Sequence, residues 1–108
     1  MKMPFVGQLR SRRDVLQLAQ PGAPSISVRV EMPEIWDTVR AVVSPDEPVI
    51  SLKLRALDAL YPEGELQEDF VMKLRGWEVL DEQATLAAVG AVNGSIFLLT
   101  HRYRRPVR

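Results

Sequence analysis

The sequence predicts one small α+β domain, with a single helix packed on one face of a mixed sheet of four to five strands. Three observations predict it: apolar and polar residues alternate in 25–32 and in 70–75, an apolar stripe at helical spacing runs through 49–60, and residues 96–100 are almost continuously apolar. A period of two is typical of strands with one solvated face, and a period of 3.6 of an amphipathic helix. With 108 residues, of which 46% are hydrophobic, the chain fits one domain with a core.

Residues 1–24 are predicted to form an N-terminal extension that is flexible or contains a short helix. Ser11–Asp14 resembles a capping box, a pattern that often begins a helix. The run that follows, Val15–Leu18, is equally consistent with an extended segment, because short apolar runs are ambiguous by periodicity. Both alternatives stay open for this run. Gln20–Pro24 then predicts a turn or linker before the domain at 25–103.

The first half of that domain reads as a hairpin followed by a helix. Residues 26–32 predict a strand, Pro33-Glu34 interrupts it, and the β-branched residues of 35–43 predict a second strand. Pro48 fits the first helical position, where a missing N–H is tolerated. The helix then presents one apolar stripe, made of Val49, Leu52, Ala56, Leu57 and Leu60, and ends at 61–64.

The second half predicts three more extended segments. Phe70–Arg75 alternates as a third strand with Gly76 at its turn, and Glu78–Leu80 indicates a very short strand. Residues 85–89 suggest a single helical turn, and Asn93-Gly94 a tight turn. The apolar run Ile96–Thr100 is typical of a strand buried in the middle of a sheet.

This order of elements resembles the ubiquitin-like β-grasp family over about residues 25–103. The likeness rests on the Pro-containing entry to the helix at 44–49, the strand and glycine turn at 72–76, the Leu-acid-acid-x-x-Thr-Leu pattern of 80–86, and the turn at 93–96. One extra residue between Gly76 and Leu80 departs from the family pattern. The Asn-Gly turn and the missing diglycine further resemble the bacterial YukD/EsaB type, which is associated with type VII secretion.

Several chemical activities are disfavoured by the residues present. The chain has no cysteine and one histidine, His101, which we interpret as a surface residue without a nucleophile motif around it. We therefore expect no enzyme activity, no metal or other cofactor and no small-molecule substrate. Ubiquitin-like modifiers and the related sulfur carriers use a terminal Gly-Gly that threads a narrow channel. No Gly-Gly pair occurs in this sequence, so the resemblance implies a member that is not conjugated, and a divergent modifier or sulfur carrier stays an alternative.

The net charge of zero conceals an uneven distribution. Residues 25–100 carry six basic and 13 acidic side chains, whereas 101–108 carry four arginines and no acid. This basic tail (residues 104–108, preceded by Arg102) could contact an anionic membrane, phosphates or an acidic protein through Arg102, Arg104, Arg105 and Arg108. The alternative is a solvated tail or one folded back on the acidic body. Nucleic acid is disfavoured as a partner because the body is acidic.

The resemblance also implies a recognition surface. The exposed sheet face of strands three and five serves ubiquitin as its main contact, and the matching positions are Val71, Lys73, Leu98, Thr100 and Arg102. Lys73 replaces the central apolar residue of that surface, so ubiquitin receptors should not recognise it. Tryptophan is enriched at binding hot spots, which makes Trp36 and Trp77 further candidates. Burial is slightly favoured for Trp77, and Trp36 is left open.

Together these patterns predict a non-catalytic protein-interaction module in a cytoplasm, with an unidentified protein partner. No apolar run approaches the roughly 20 residues of a membrane span. With 11 arginines to three lysines, the composition suggests a bacterial source. An accessory role in a type VII-like secretion system and an anionic-surface binder that acts through the tail are the alternatives.

Overall fold

The alternating segments pair into one six-stranded mixed sheet. In this computed structural model, which describes residues 15–62 and 67–102, the order along the chain is β1 (Val15–Gln17), β2 (Ile26–Met32), β3 (Asp37–Val43), α1 (Val49–Leu60), β4 (Phe70–Leu74), β5 (Trp77–Glu78) and β6 (Ile96–His101). Across the sheet the order is β1-β3-β2-β6-β4-β5. The hairpin β2–β3, the single helix and the central β6 are as predicted.

The parallel pairing of β2 with β6 joins the two halves of the domain. Arg29 lies beside Ile96 and Glu31 beside Leu98 in this pair, and β4 runs antiparallel on the other side of β6. A buried strand with neighbours on both sides is expected to be apolar on most positions, as β6 is. Phe97 and Leu99 are fully buried on the helix side.

The extension contributes a strand to the sheet rather than a helical turn. Val15–Gln17 pairs in parallel with Arg40–Val42, and Leu18 and Ala19 both donate to the carbonyl of Val42. The short-helix interpretation is therefore wrong for 15–17, because an available edge of β3 satisfies this segment's backbone groups, a choice that local periodicity cannot reveal. The capping-box residues Ser11–Asp14 lie outside the described residues.

Two local boundaries also differ from expectation. The second strand begins at Asp37, because Pro33–Ile35 forms a 3₁₀ turn. Pro48 is the residue before the helix, with extended backbone (φ −69°, ψ 150°), rather than its first residue. Residues 86–89 are in turns, and the amide of Val89 donates to the carbonyl of Thr85 at 3.2 Å, which agrees with the single helical turn predicted there.

The helix begins against backbone carbonyls of a distant loop instead of a capping side chain. The amide of Val49 donates to the carbonyl of Ala84 at 2.9 Å and that of Ile50 to Glu82 at 2.8 Å. In return, Leu86 donates to the carbonyl of Glu47 at 2.9 Å. The first N–H groups of a helix have no partner within the helix, so the loop at 82–86 satisfies them from outside.

The core lies between α1 and one face of the sheet. Its members are the inward residues of the strands together with the helix stripe, for example Val28, Val30, Met32, Val39, Ala41, Phe70, Met72, Leu52, Ala56 and Leu86. Lys53 lies among them and is fully buried, and its ammonium donates to both carboxylate oxygens of Glu82 at 3.0 and 2.9 Å. The opposite face of the sheet, which we call the open face, carries the outward residues of each strand.

Candidate functional site

The strand register brings four predicted surface residues together on the open face. Val71 is directly opposite Thr100, and Lys73 is directly opposite Leu98, on the adjacent strands β4 and β6. Residues that alternate along paired strands share one face, so all four point away from the helix. We call these residues the β4–β6 patch.

Val71 is on the predicted face but is not accessible, which corrects its assignment as a contact residue. Its exposure is 2%. The side chain of Arg102, which follows β6, reaches the carboxylate of Glu78 on β5 at 3.6 Å and the carbonyl of Glu68 at 3.0 Å. Because β4 lies between β6 and β5, this side chain crosses the open face beside Val71. Lys73, Leu98 and Thr100 remain partly exposed.

Arg102 itself is exposed, but both its backbone and its side chain are engaged. Its amide donates to the carbonyl of Asp69 at 2.7 Å, and its guanidinium makes the two contacts just described. These contacts fold the residue back on the body. The other arginines of the predicted anionic contact, Arg104, Arg105 and Arg108, lie outside the described residues.

One carboxylate ties the turn after β2 to the end of β6. Glu34 accepts hydrogen bonds from the hydroxyl of Thr100 at 2.5 Å and from the amide of His101 at 3.2 Å. Thr100 is therefore partly occupied by an internal contact. The link also positions the next residues of the turn, which end at Trp36.

Both tryptophans are exposed. Trp36 is 93% exposed and has a left-handed backbone (φ 53°), and its amide donates to the carbonyl of Pro33 at 3.1 Å. Trp77 on the edge strand β5 is 78% exposed, so the expectation that it packs in the core is wrong. Arg75 and Gly76 both have positive φ, as a two-residue hairpin of type I′ requires, and this turn holds Trp77 at the edge of the sheet.

The hairpin β2–β3 forms a shallow groove on the open face that the sequence did not single out. Its volume is 610 Å³, and its lining includes Arg29, Glu31, Trp36, Thr38 and Arg40. A tight cluster of potential metal ligands is absent from 15–62 and 67–102. His101 packs its ring against Phe70, with ring centroids 4.5 Å apart.

No helix within the described ranges is long and apolar enough to cross a bilayer.

Comparison with known proteins finds similar folds among solved structures. No protein-family model and no curated protein matches this sequence. Among solved structures, the ubiquitin-like domain of an Arabidopsis thaliana protein is 19% identical, with 83% of this chain and 90% of that chain covered and a TM-score of 0.64. Caldiarchaeum subterraneum ubiquitin is 14% identical, with coverages of 77% and 100% and a TM-score of 0.63.

A third similar structure is the UBL domain of Plasmodium falciparum Dsk2, which is 18% identical with a TM-score of 0.61. That match covers 72% of this chain and 99% of the Dsk2 domain. At such identities the likeness shows the fold. The chain therefore has the ubiquitin-like β-grasp fold, with one helix on a mixed sheet.

Proposed function

We propose that this domain is a non-catalytic protein-interaction module that binds a protein partner through the open face of its sheet. One observation carries the proposal. The only helix in the described ranges packs on the other face, so the β4–β6 patch, with Lys73 and Leu98 as its accessible pair, is left uncovered by it. The ubiquitin-like domains that share this fold support a module of this kind.

The proposal is tested by truncating the accessible pair. We expect Lys73→Ala/Leu98→Ala to reduce recovery of the specific partner by affinity purification from the source cells, because the variant removes one cation and one leucine from the patch. The matched control is Leu54→Ala/Arg55→Ala, which also removes one leucine and one cation, here from the exposed side of α1. Thr100 is left intact, since its hydroxyl holds Glu34.

Two results would oppose this reading. Equal recovery of every partner by the patch variant and the wild-type protein would show that the β4–β6 patch is not needed for binding. Loss of the same partners in the Leu54→Ala/Arg55→Ala variant would indicate that the partner binds the helix side of the domain. Circular dichroism and urea unfolding of both variants separate lost binding from lost structure.

Contact with an anionic surface through the basic tail is a second proposal, and it rests mainly on the sequence. Arg102, which precedes the tail, contacts Glu78 and Glu68. These contacts favour the alternative in which the tail begins against the acidic body of the domain. Cosedimentation with phosphatidylserine vesicles should fall on deletion of residues 104–108 if the tail binds membranes. Undiminished cosedimentation would argue against it.

The narrower assignments follow from the sequence resemblance. A bacterial cytoplasmic protein that accompanies a type VII-like secretion system is supported by the Asn93-Gly94 turn and by the absence of a Gly-Gly pair from these 108 residues. Mass spectrometry of the purified protein addresses the conjugation alternative directly. A thiocarboxylate or an isopeptide-linked product at its carboxyl end would make the protein a modifier or sulfur carrier.

A further inference from the structure

Two arginines face each other directly across the hairpin β2–β3. Arg29 and Arg40 are opposite residues in the antiparallel register, and both are exposed on the open face. The amide of Arg29 donates to the carbonyl of Ser95, away from β3. Arg29 and Arg40 therefore form a non-hydrogen-bonded pair, the closer of the two antiparallel pair types, with Cα atoms about 4.5 Å apart. We call these two residues the arginine pair.

The charge of this pair is weakly compensated by the residues at 15–62 and 67–102. Arg29 has one loose ion pair, 3.9 Å to Glu31, and both partners are well exposed to solvent, with side-chain exposures of 47% and 37%. Arg40 makes no ion pair with a carboxylate in the described ranges. Like charges directly opposite on one sheet face repel each other. A carboxylate placed between the two guanidinium groups would relieve the repulsion and could accept paired hydrogen bonds from them.

The groove along the hairpin connects the arginine pair to an exposed aromatic side chain. Its 610 Å³ volume is lined at one end by Arg29 and Arg40 and at the other by Pro33 and Trp36. Trp36 lies four residues along the chain from Arg40, which corresponds to about 14 Å of extended strand. The indole of Trp36 is 93% exposed, and it offers a large apolar area with only two side-chain torsions to order on binding.

We propose that this groove binds an extended, acidic peptide segment of a partner protein. A carboxylate of the segment lies on the arginine pair, and an apolar side chain about four positions away packs on Trp36. The direction of the segment follows from Glu31, which lines the groove on the Trp36 side of the arginine pair and disfavours a second acid there. The same carboxylate disfavours the phosphates of a nucleic acid. This inference deepens the proposed interaction module and rests on it.

The test is selection of random nine-residue peptides displayed on phage, with the whole domain as bait. We expect the selected peptides to carry Asp or Glu together with an apolar residue about four positions away. Replacing that acid by its amide should weaken binding about tenfold or more, as expected for a charge-assisted hydrogen-bonded pair. Fluorescence polarisation of labelled peptides measures the affinity, and rising KCl should reduce it.

Matched variants locate the site. Arg40→Gln and Trp36→Ala should each weaken binding by about tenfold, whereas the controls Arg55→Gln on α1 and Trp77→Ala on β5 should leave it unchanged. Arg40→Gln is not expected to unfold the domain, since it removes a repulsion. Its unfolding midpoint in urea should equal or exceed that of the wild-type protein.

Several results would overturn the inference. Peptides without an acidic preference, peptides that bind Arg40→Gln as well as wild type, or no enriched peptides at all would each do so. A dimer at micromolar concentration that Arg40→Gln abolishes would assign the groove to a second copy of the chain instead. If partner recovery still depends on Lys73 and Leu98 in any of these cases, the interaction module stands and the acidic-peptide inference alone falls.

Discussion

The buried ion pair between α1 and the loop before Leu86 predicts an asymmetric response to mutation. The Lys53 side chain has no exposure, whereas that of Glu82 keeps 18%. The ammonium donates to both oxygens of one carboxylate, at 2.9 and 3.0 Å. Removing the carboxylate leaves an unpaired ammonium that water cannot reach. Removing the ammonium leaves a carboxylate that water reaches in part.

The magnitudes follow from this difference in burial. Glu82→Gln should lower the free energy of unfolding by about 3–5 kcal/mol, the usual loss when one partner of a buried pair is removed. Lys53→Met should cost no more than about 2 kcal/mol, because it fills the same volume with an apolar chain and the remaining carboxylate is partly solvated. The double variant Lys53→Met/Glu82→Leu should recover most of the loss, since no buried charge remains.

Equilibrium urea unfolding, followed by tryptophan fluorescence and circular dichroism, measures all three variants. Glu82→Asp serves as a milder substitution if Glu82→Gln fails to fold. Equal losses for Glu82→Gln and Lys53→Met, or a larger loss for Lys53→Met, would refute the reasoning. Either outcome would mean that the ammonium is not isolated from water in the folded domain.

Three further predictions concern the sheet. Arg40→Gln should raise the free energy of unfolding by roughly 0.2–1 kcal/mol through lost repulsion with Arg29, and a decrease measured in urea would contradict the close pairing. Gly76→Ala should destabilise by roughly 1–2 kcal/mol, because φ is +85° there although space is free; an unchanged thermal midpoint would argue against the I′ turn. Trp36→Ala should change stability by less than about 0.5 kcal/mol, as expected of an exposed side chain, whereas Phe70→Ala in the core should cost about 3–5 kcal/mol in the same denaturation assay.

Much of the fold could be predicted because its elements have strong local patterns. Alternation in 26–32 and 70–74 identified two strands and their inward faces, and the helix ended at Leu60 as the stripe indicated. A signal for the buried ammonium was also present. Lys53 lies four residues after Val49 and three before Ala56, within the apolar stripe of α1, where a lysine requires a partner.

The candidate surface was predictable only in outline. The resemblance placed Val71 on the open face, where it lies opposite Thr100, but only the structure shows that its side chain is 2% exposed. The exposure of Trp36 and Trp77 depends on turns at the ends of strands, where no periodicity exists to interpret. The hydrophobicity of Trp77 favoured burial, but the hairpin turn places the side chain in solvent at the edge of the sheet.

By itself, the sequence determined the fold class, the helix and the inward and outward faces of β2 and β4, because these follow from spacing along the chain. Only the tertiary structure decided that 15–17 joins the sheet, that Lys53 meets Glu82, and that Arg29 stands opposite Arg40. Each of these depends on register or contact between segments distant in sequence or joined by a turn. The pattern of residues within one segment does not tell which residues of another segment will lie beside it.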